Sequence, residues 1–199
     1  MTPDATSLRI LYDPVGWADP QWLTLLEIDS RWPRRMSNAL LMRRANIRPV
    51  TVEDLDVGGA CWLLQNWDIL PQVVYLVGAR LVRNALMTGS ALHQLRHHAA
   101  GFLALPLPEL VWARSADIAD ANEWRLKTLH ARILAAGTSC LHKSWPDMPQ
   151  GWFDRVRVKL PPEAHQCGGD AKAQTLLPAS ASCQRLLNHA VVFQHAEKD

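Results

Sequence analysis

The sequence predicts a mainly α fold, a single compact multi-helix domain over residues 1–199 with a short β element near residues 152–161. Three observations predict it. Apolar residues recur at three- and four-residue spacing through most of the chain, the period of a helix that buries one face. Proline and glycine punctuate that pattern where helices should end, and no repeat, low-complexity tract or interdomain linker interrupts it. One segment alone changes period: Val156, Val158 and Leu160 would share one face of a strand, with Arg155, Arg157 and Lys159 on the other. It is expected to be a half-buried strand with a basic outer face.

Taken in order, residues 8–12 read as a short extended piece stopped by Asp13-Pro14, because the residue before proline disfavours helix. Asp19-Pro20 then caps a helix whose apolar face is Trp22, Leu23, Leu25 and Leu26. After Trp32-Pro33, the residues Met36, Leu40, Leu41 and Ile47 predict a second helix that carries Arg34, Arg35, Arg43 and Arg44 on a basic polar side. Thr51 with Glu53-Asp54 can cap a further turn, which Gly58-Gly59 should end. Asp68 and Pro71 open a central helix running to Thr88-Gly89, with Val73, Leu76, Val77, Leu81 and Leu86 facing the core. Ser90 caps the next helix, which Pro106 and Pro108 close. Ile118, Trp124, Leu126, Leu129, Ile133 and Leu134 predict an amphipathic helix over residues 117–136, ended by Gly137. Residues 165–174 read as a polar loop, and Ser180 or Ser182 starts a last helix containing Leu186, Leu187, Val191, Val192 and Phe193.

Composition narrows the function. The chain has 199 residues, 48% hydrophobic and 20% charged, which suffices for a substantial core. A net charge of +2 is too small to select nucleic acid or a membrane surface by bulk electrostatics. Cys61, Cys140, Cys167 and Cys183 form no close ligand pair, so a reduced, cytoplasmic chain is the simpler reading. The opening residues lack the basic start and apolar stretch of a secretory signal, and the longest apolar region, residues 69–82, is broken by Pro71, Gln72 and Arg80.

No complete catalytic signature is found. His93 and His97 stand four apart, the spacing of two ligands on one helix face, but Gln94 occupies the place where a zinc protease needs its glutamate. Surface histidines explain these residues better. Cys61 lies beside Trp62 and Leu63 and is expected to be buried, Ser139 and Ser144 lack a nucleophile elbow, and Asp117 and Asp120 suit the start of a helix. Gly58-Gly59 and Gly168-Gly169 are turn glycines without a phosphate-binding pattern. No catalytic residue, metal site or cofactor is assigned. Nine tryptophans, against two tyrosines and three phenylalanines, should be core or semi-buried, with some bridging core and surface as interface anchors do.

The segment order resembles one known family. The opening Leu8-Arg9-Ile10-Leu11-Tyr12-Asp13-Pro14 with Trp17, the run Leu76-Val77-Gly78-Ala79, the later Phe102-Leu103-Ala104-Leu105-Pro106, and Trp152 through Arg155 to Lys159-Leu160-Pro161 resemble the SctK family of type III secretion sorting-platform proteins. The resemblance implies a non-enzymatic, mostly helical cytoplasmic adaptor without a cofactor or small-molecule substrate. Such an adaptor links the cytoplasmic domain of the SctD-type inner-membrane ring protein to the SctQ-type pod protein, and meets the membrane only through its partners. The chain departs from the family pattern in its many tryptophans and in residues 165–169. Contact residues are therefore chosen from charge and helical position, as Arg34, Arg35, Arg43 and Arg44. The alternative is an α-helical nucleic-acid-binding regulator using the same arginines; a thiol or metal enzyme built on His93, His97 and a cysteine is a third reading.

Overall fold

In a computed structural model that describes residues 4–86, 93, 95, 97–107, 126–166 and 179–197, the described backbone consists of helices and turns, with no strand. The helices are α1 (Ala5–Tyr12), α2 (Pro20–Leu25), α3 (Arg34–Arg44), α4 (Gly58–Asn66), α5 (Leu70–Leu81), α6 (Arg83–Leu86), α7 (His97–Ala104), α8 (Leu126–Ser144), α9 (Gln150–Lys159), α10 (Glu163–Gln166) and α11 (Ser180–Ala196). They fall into two compact units. The first comprises Met1–Trp67 with Asp147–Pro162, the second Asp68–Pro146 with Glu163–Asp199.

The first unit is built around α9, the segment expected to be a strand near residues 152–161. It is a helix, because Trp152, Phe153, Val156 and Leu160 also recur at helical spacing, and Pro149 and Pro161 bracket a length suited to three turns. Alternation over five residues cannot separate the two periods when both valines are buried. The basic outer face is also absent: Arg155 is 2% exposed, and Asp154 is buried beside it. One Arg155 Nη1 donates to the carbonyls of Arg48 and Gly151, each at 2.9 Å, and Nη2 donates to the Leu11 carbonyl at 3.4 Å. Asp154 accepts from the Arg48 backbone N–H at 3.1 Å and lies 3.6 Å from the Arg48 Nε. Arg157 donates to the Ala45 carbonyl and stacks 5.7 Å from the centroid of Trp22, while the Lys159 ammonium sits 5.7 Å from that of Trp67.

Prolines 161 and 162 cannot supply donors, so the last carbonyls of α9 are met from elsewhere. The Trp22 indole donates to Leu160 O at 2.8 Å and the Asp19 N–H to Val158 O at 3.0 Å. The Trp152 indole reaches Asp54 O at 3.2 Å and the Trp17 indole reaches Ile10 O at 3.1 Å, with Trp17 edge-on to Trp67. Trp22 and Trp152 each join apolar burial to a hydrogen bond between distant segments, whereas Trp17 bonds within seven residues and the buried Trp67 indole N–H has no hydrogen-bond partner among the described residues.

Residues 8–12, expected to be extended, belong to α1. Asp4 caps it by accepting from the Ser7 N–H at 2.7 Å, and Ser7, Ile10 and Leu11 fall on one buried side. Asp13-Pro14 does end the segment, and Asp19 caps α2 with Pro20 at its first position. Gly58 begins α4 rather than ending the turn before it, since Glu53–Asp56 is a short 3-10 turn that Thr51 closes through Asp54.

In the second unit α5 is buried almost all round, from Leu70 and Val73 to Leu81. It breaks at Val82, and the expected end at Thr88-Gly89 and the Ser90 cap lie outside the described residues. α8 continues through Gly137 to Ser144; its expected start at Asp117 is also outside them. Gly137 is a packing residue rather than a terminator. A Cβ there would fall onto the Val74 carbonyl of α5, and one at Gly78 would fall onto the Ile133 carbonyl of α8. The two helices thus meet backbone to backbone. The Tyr75 hydroxyl and His130 Nδ1 are 2.7 Å apart on the same pair of helices. α11 packs on both, and its Ser180 hydroxyl and Gln184 amide donate to the Ser144 carbonyl that ends α8, at 3.0 and 2.7 Å. Arg80, also buried, donates to Leu103 O at 2.8 Å, placing a cation at the negative end of α7. Residues 163–166 are helical, and the rest of the expected loop at 165–174 lies outside the described residues.

Three outcomes follow. Arg155→Ala should destabilise the chain by about 3–5 kcal/mol in denaturant unfolding, because it opens a cavity and strands buried carbonyls. Gly137→Ala should cost about 2 kcal/mol or more despite alanine's better helix propensity. Gly58→Ala, where a Cβ meets nothing within 4 Å, should be neutral or stabilise by about 0.5 kcal/mol, as thermal melts will register.

Candidate protein-docking surface

Helix α3 begins with Arg34 and Arg35, an unfavourable placement of cations at the positive end of a helix dipole. Asp13 relieves it. Its carboxylate accepts from Arg34 Nε at 2.7 Å and Nη2 at 2.6 Å, and from Asn38 Nδ2 at 3.0 Å, while Asn38 Oδ1 accepts the Val15 N–H. The bonded Arg34 guanidinium holds the Asp13 carboxyl below its ordinary value. The stability this pair contributes is therefore present above the ordinary carboxylate pKa and is lost as pH falls through the lowered one. At the other end, Arg44 Nη1 donates to the carbonyls of Leu26 and Glu27, holding a turn in which Glu27 has a positive φ of 51°.

The four arginines do not form one face. At about 100° per residue they point in four directions round the axis. Ser37, Leu41 and Ala45 mark the buried side; Arg34 lies near it at the Asp13 end, and Arg44 lies towards the end of α2. Arg35 and Arg43 point outward with Ala39 between them, all three exposed, and make no ion pair among the described residues. Met36, also on this side, is 48% exposed. The strand expected to carry a second basic face supplies none, since Arg155 is interior.

Among the remaining described candidates, the thiols are drawn into the packing to different degrees. Cys140 is fully buried; contact with the Cys183 thiol and burial both push its thiol up, the opposite of what a nucleophile needs. Cys61 is half-buried and donates to Leu55 O at 3.2 Å, and the Ser144 hydroxyl donates to Cys140 O at 2.9 Å. His93 is exposed and His98 half-buried, and among the described residues no three His, Cys, Asp or Glu side chains are arranged to hold a metal. Asp117, Asp120, Cys167 and Gly168-Gly169 lie outside the described residues. No described helix is long and apolar enough to cross a membrane. Sequence reasoning missed the buried Arg155 and Asp154, whose only signal was their place beside Trp152 and Phe153 in a proline-bracketed segment.

Neither the curated proteins nor the solved structures include a match to this chain. A family model does match, over residues 7–198, and its description is bacterial type III secretion apparatus protein (OrgA_MxiK). The match takes in both compact units, the arginine-bearing α3 and the α9 segment, one of the stretches that resemble SctK proteins, and the chain accordingly belongs to this SctK-type family of the bacterial type III secretion apparatus.

Proposed function

We propose that the protein is a non-enzymatic adaptor of the sorting platform, joining the cytoplasmic domain of the SctD-type ring protein to the SctQ-type pod protein at the cytoplasmic face of the inner membrane. The observation that carries this reading is the family match across residues 7–198. Two properties of the chain support it. Its two compact units each have their own core, which suits a protein that offers separate surfaces to separate partners. Its buried arginines are spent on backbone carbonyls, while α3 keeps exposed arginines available to a protein partner. The basic helix α3, with Arg34, Arg35, Arg43 and Arg44, is the proposed contact region.

Co-purification tests this. The tagged chain, expressed with its secretion operon, should bring down the ring and pod proteins together, identified by mass spectrometry. Reversing all four arginines to glutamate should weaken recovery of at least one of them by about tenfold. Recovery of neither partner by the wild-type chain would sink the adaptor reading.

A further inference from the structure

We infer that the outward side of α3 is a docking face for an acidic protein surface, and that Arg35 and Arg43 alone among its four arginines meet the partner. The inference rests on the adaptor reading and deepens it. Arg34 and Arg44 are bound within the unit, to Asp13 and to the carbonyls of Leu26 and Glu27. Moving them to a partner would break those bonds. Arg35, Ala39 and Arg43 instead form an exposed row at i, i+4 and i+8, so the two guanidinium groups rise from points about 12 Å apart along the axis. Alanine in the middle lets another backbone come close.

The first unit also exposes apolar side chains. Among the described residues, five of the six exposed large apolar side chains, Leu8, Tyr12, Leu25, Met36 and Val52, belong to the first unit. Met36 lies on the row's own side of α3. Tyr12 precedes the Asp13 held by Arg34, and Leu25 precedes the Leu26 carbonyl held by Arg44, so apolar surface adjoins both anchored arginines. Exposed arginine, methionine and tyrosine together are enriched at protein interfaces.

Charge selects the occupant. Between Asp29 and Glu53 the sequence has six arginines and no acid. A second copy would bring like charge to the same face. Nucleic acid is disfavoured because the sequence of this unit balances ten lysines and arginines with ten acids, leaving no excess to neutralise a run of phosphates. The fitting partner is a protein surface with carboxylates about 12 Å apart and apolar side chains between them, such as acids eight residues apart on one helix.

The test titrates the purified ring cytoplasmic domain and the purified pod protein, separately, with the full chain and its variants at 50 and 300 mM NaCl. Arg35→Glu with Arg43→Glu should leave the melting temperature unchanged and weaken at least one partner about tenfold or more, and the wild-type affinity for that partner should fall with salt. Arg35→Lys with Arg43→Lys, which keeps the charge, should stay within about threefold of wild type. Should the double reversal bind both proteins as wild type does, the docking face is wrong and the adaptor reading stands. If the wild-type chain binds neither protein, the adaptor reading fails and takes this face with it. Binding of a DNA duplex, lost on the same reversal, in place of either protein would assign the face to nucleic acid and overturn the inference.

Discussion

A guanidinium enclosed by carbonyl oxygens organises the first compact unit. Arg155 gathers the start of its own helix, the end of α1 and the chain after α3, the last two each more than a hundred residues of sequence away from it. Removing such a charge from water is expensive, and burial accordingly pulls its pKa down. Arginine tolerates this because its value begins so high and because its planar fork can serve several acceptors at once. Of the three acceptors, the Leu11 oxygen is one that helix geometry leaves without a partner at the last turn of α1, the Arg48 oxygen lies in the loop beyond α3, and the Gly151 oxygen is in the first turn of α9. Through Nη1 and Nη2 one cation meets carbonyls from three segments, while its Nε, also buried, has no hydrogen-bond partner among the described residues, and α9 becomes the axis on which the other helices of the unit are hung.

The second unit relies on shape instead of charge. Gly78 and Gly137 remove side chains at the point where α5 crosses α8, so each helix rests on the other's backbone. A close crossing of this kind buries the surrounding apolar side chains Val73, Leu76, Val77, Ile133 and Leu141. α11 then covers both helices and ties itself to the carbonyl that ends α8. Arg80 repeats, on a smaller scale, the pairing of a buried guanidinium with the carbonyls at a helix end.

The division of the arginines carries this structure toward function. Residues such as Arg155, Arg80, Arg34 and Arg44 are consumed in holding helices together, whereas Arg35 and Arg43 stand clear of the packing. In a protein of the type III secretion apparatus, a surface arginine that makes no ion pair within its own unit is the kind of group on which partner recognition can be built. An arginine-rich helix is therefore not a uniform basic surface, and its chemistry is set by what each turn rests against.

The sequence by itself determined that most of this chain is helical, and where several segments begin and end: Asp13-Pro14 stops residues 8–12, read as extended though they belong to α1, Asp19-Pro20 opens α2, and the apolar period of α5 marks it as core. These signals are local, since a cap, a proline or a stripe of leucines acts within a turn or two of itself. It also determined the family, whose model matches residues 7–198. Only the tertiary structure decided that residues 150–159 form a helix, that Gly137 is a point of contact and not an end, and that Arg155 lies inside while Arg35 and Arg43 lie outside. A buried valine looks the same at period two and period four, a glycine is neutral until a second backbone approaches it, and an arginine's place depends on carbonyls supplied from far along the chain.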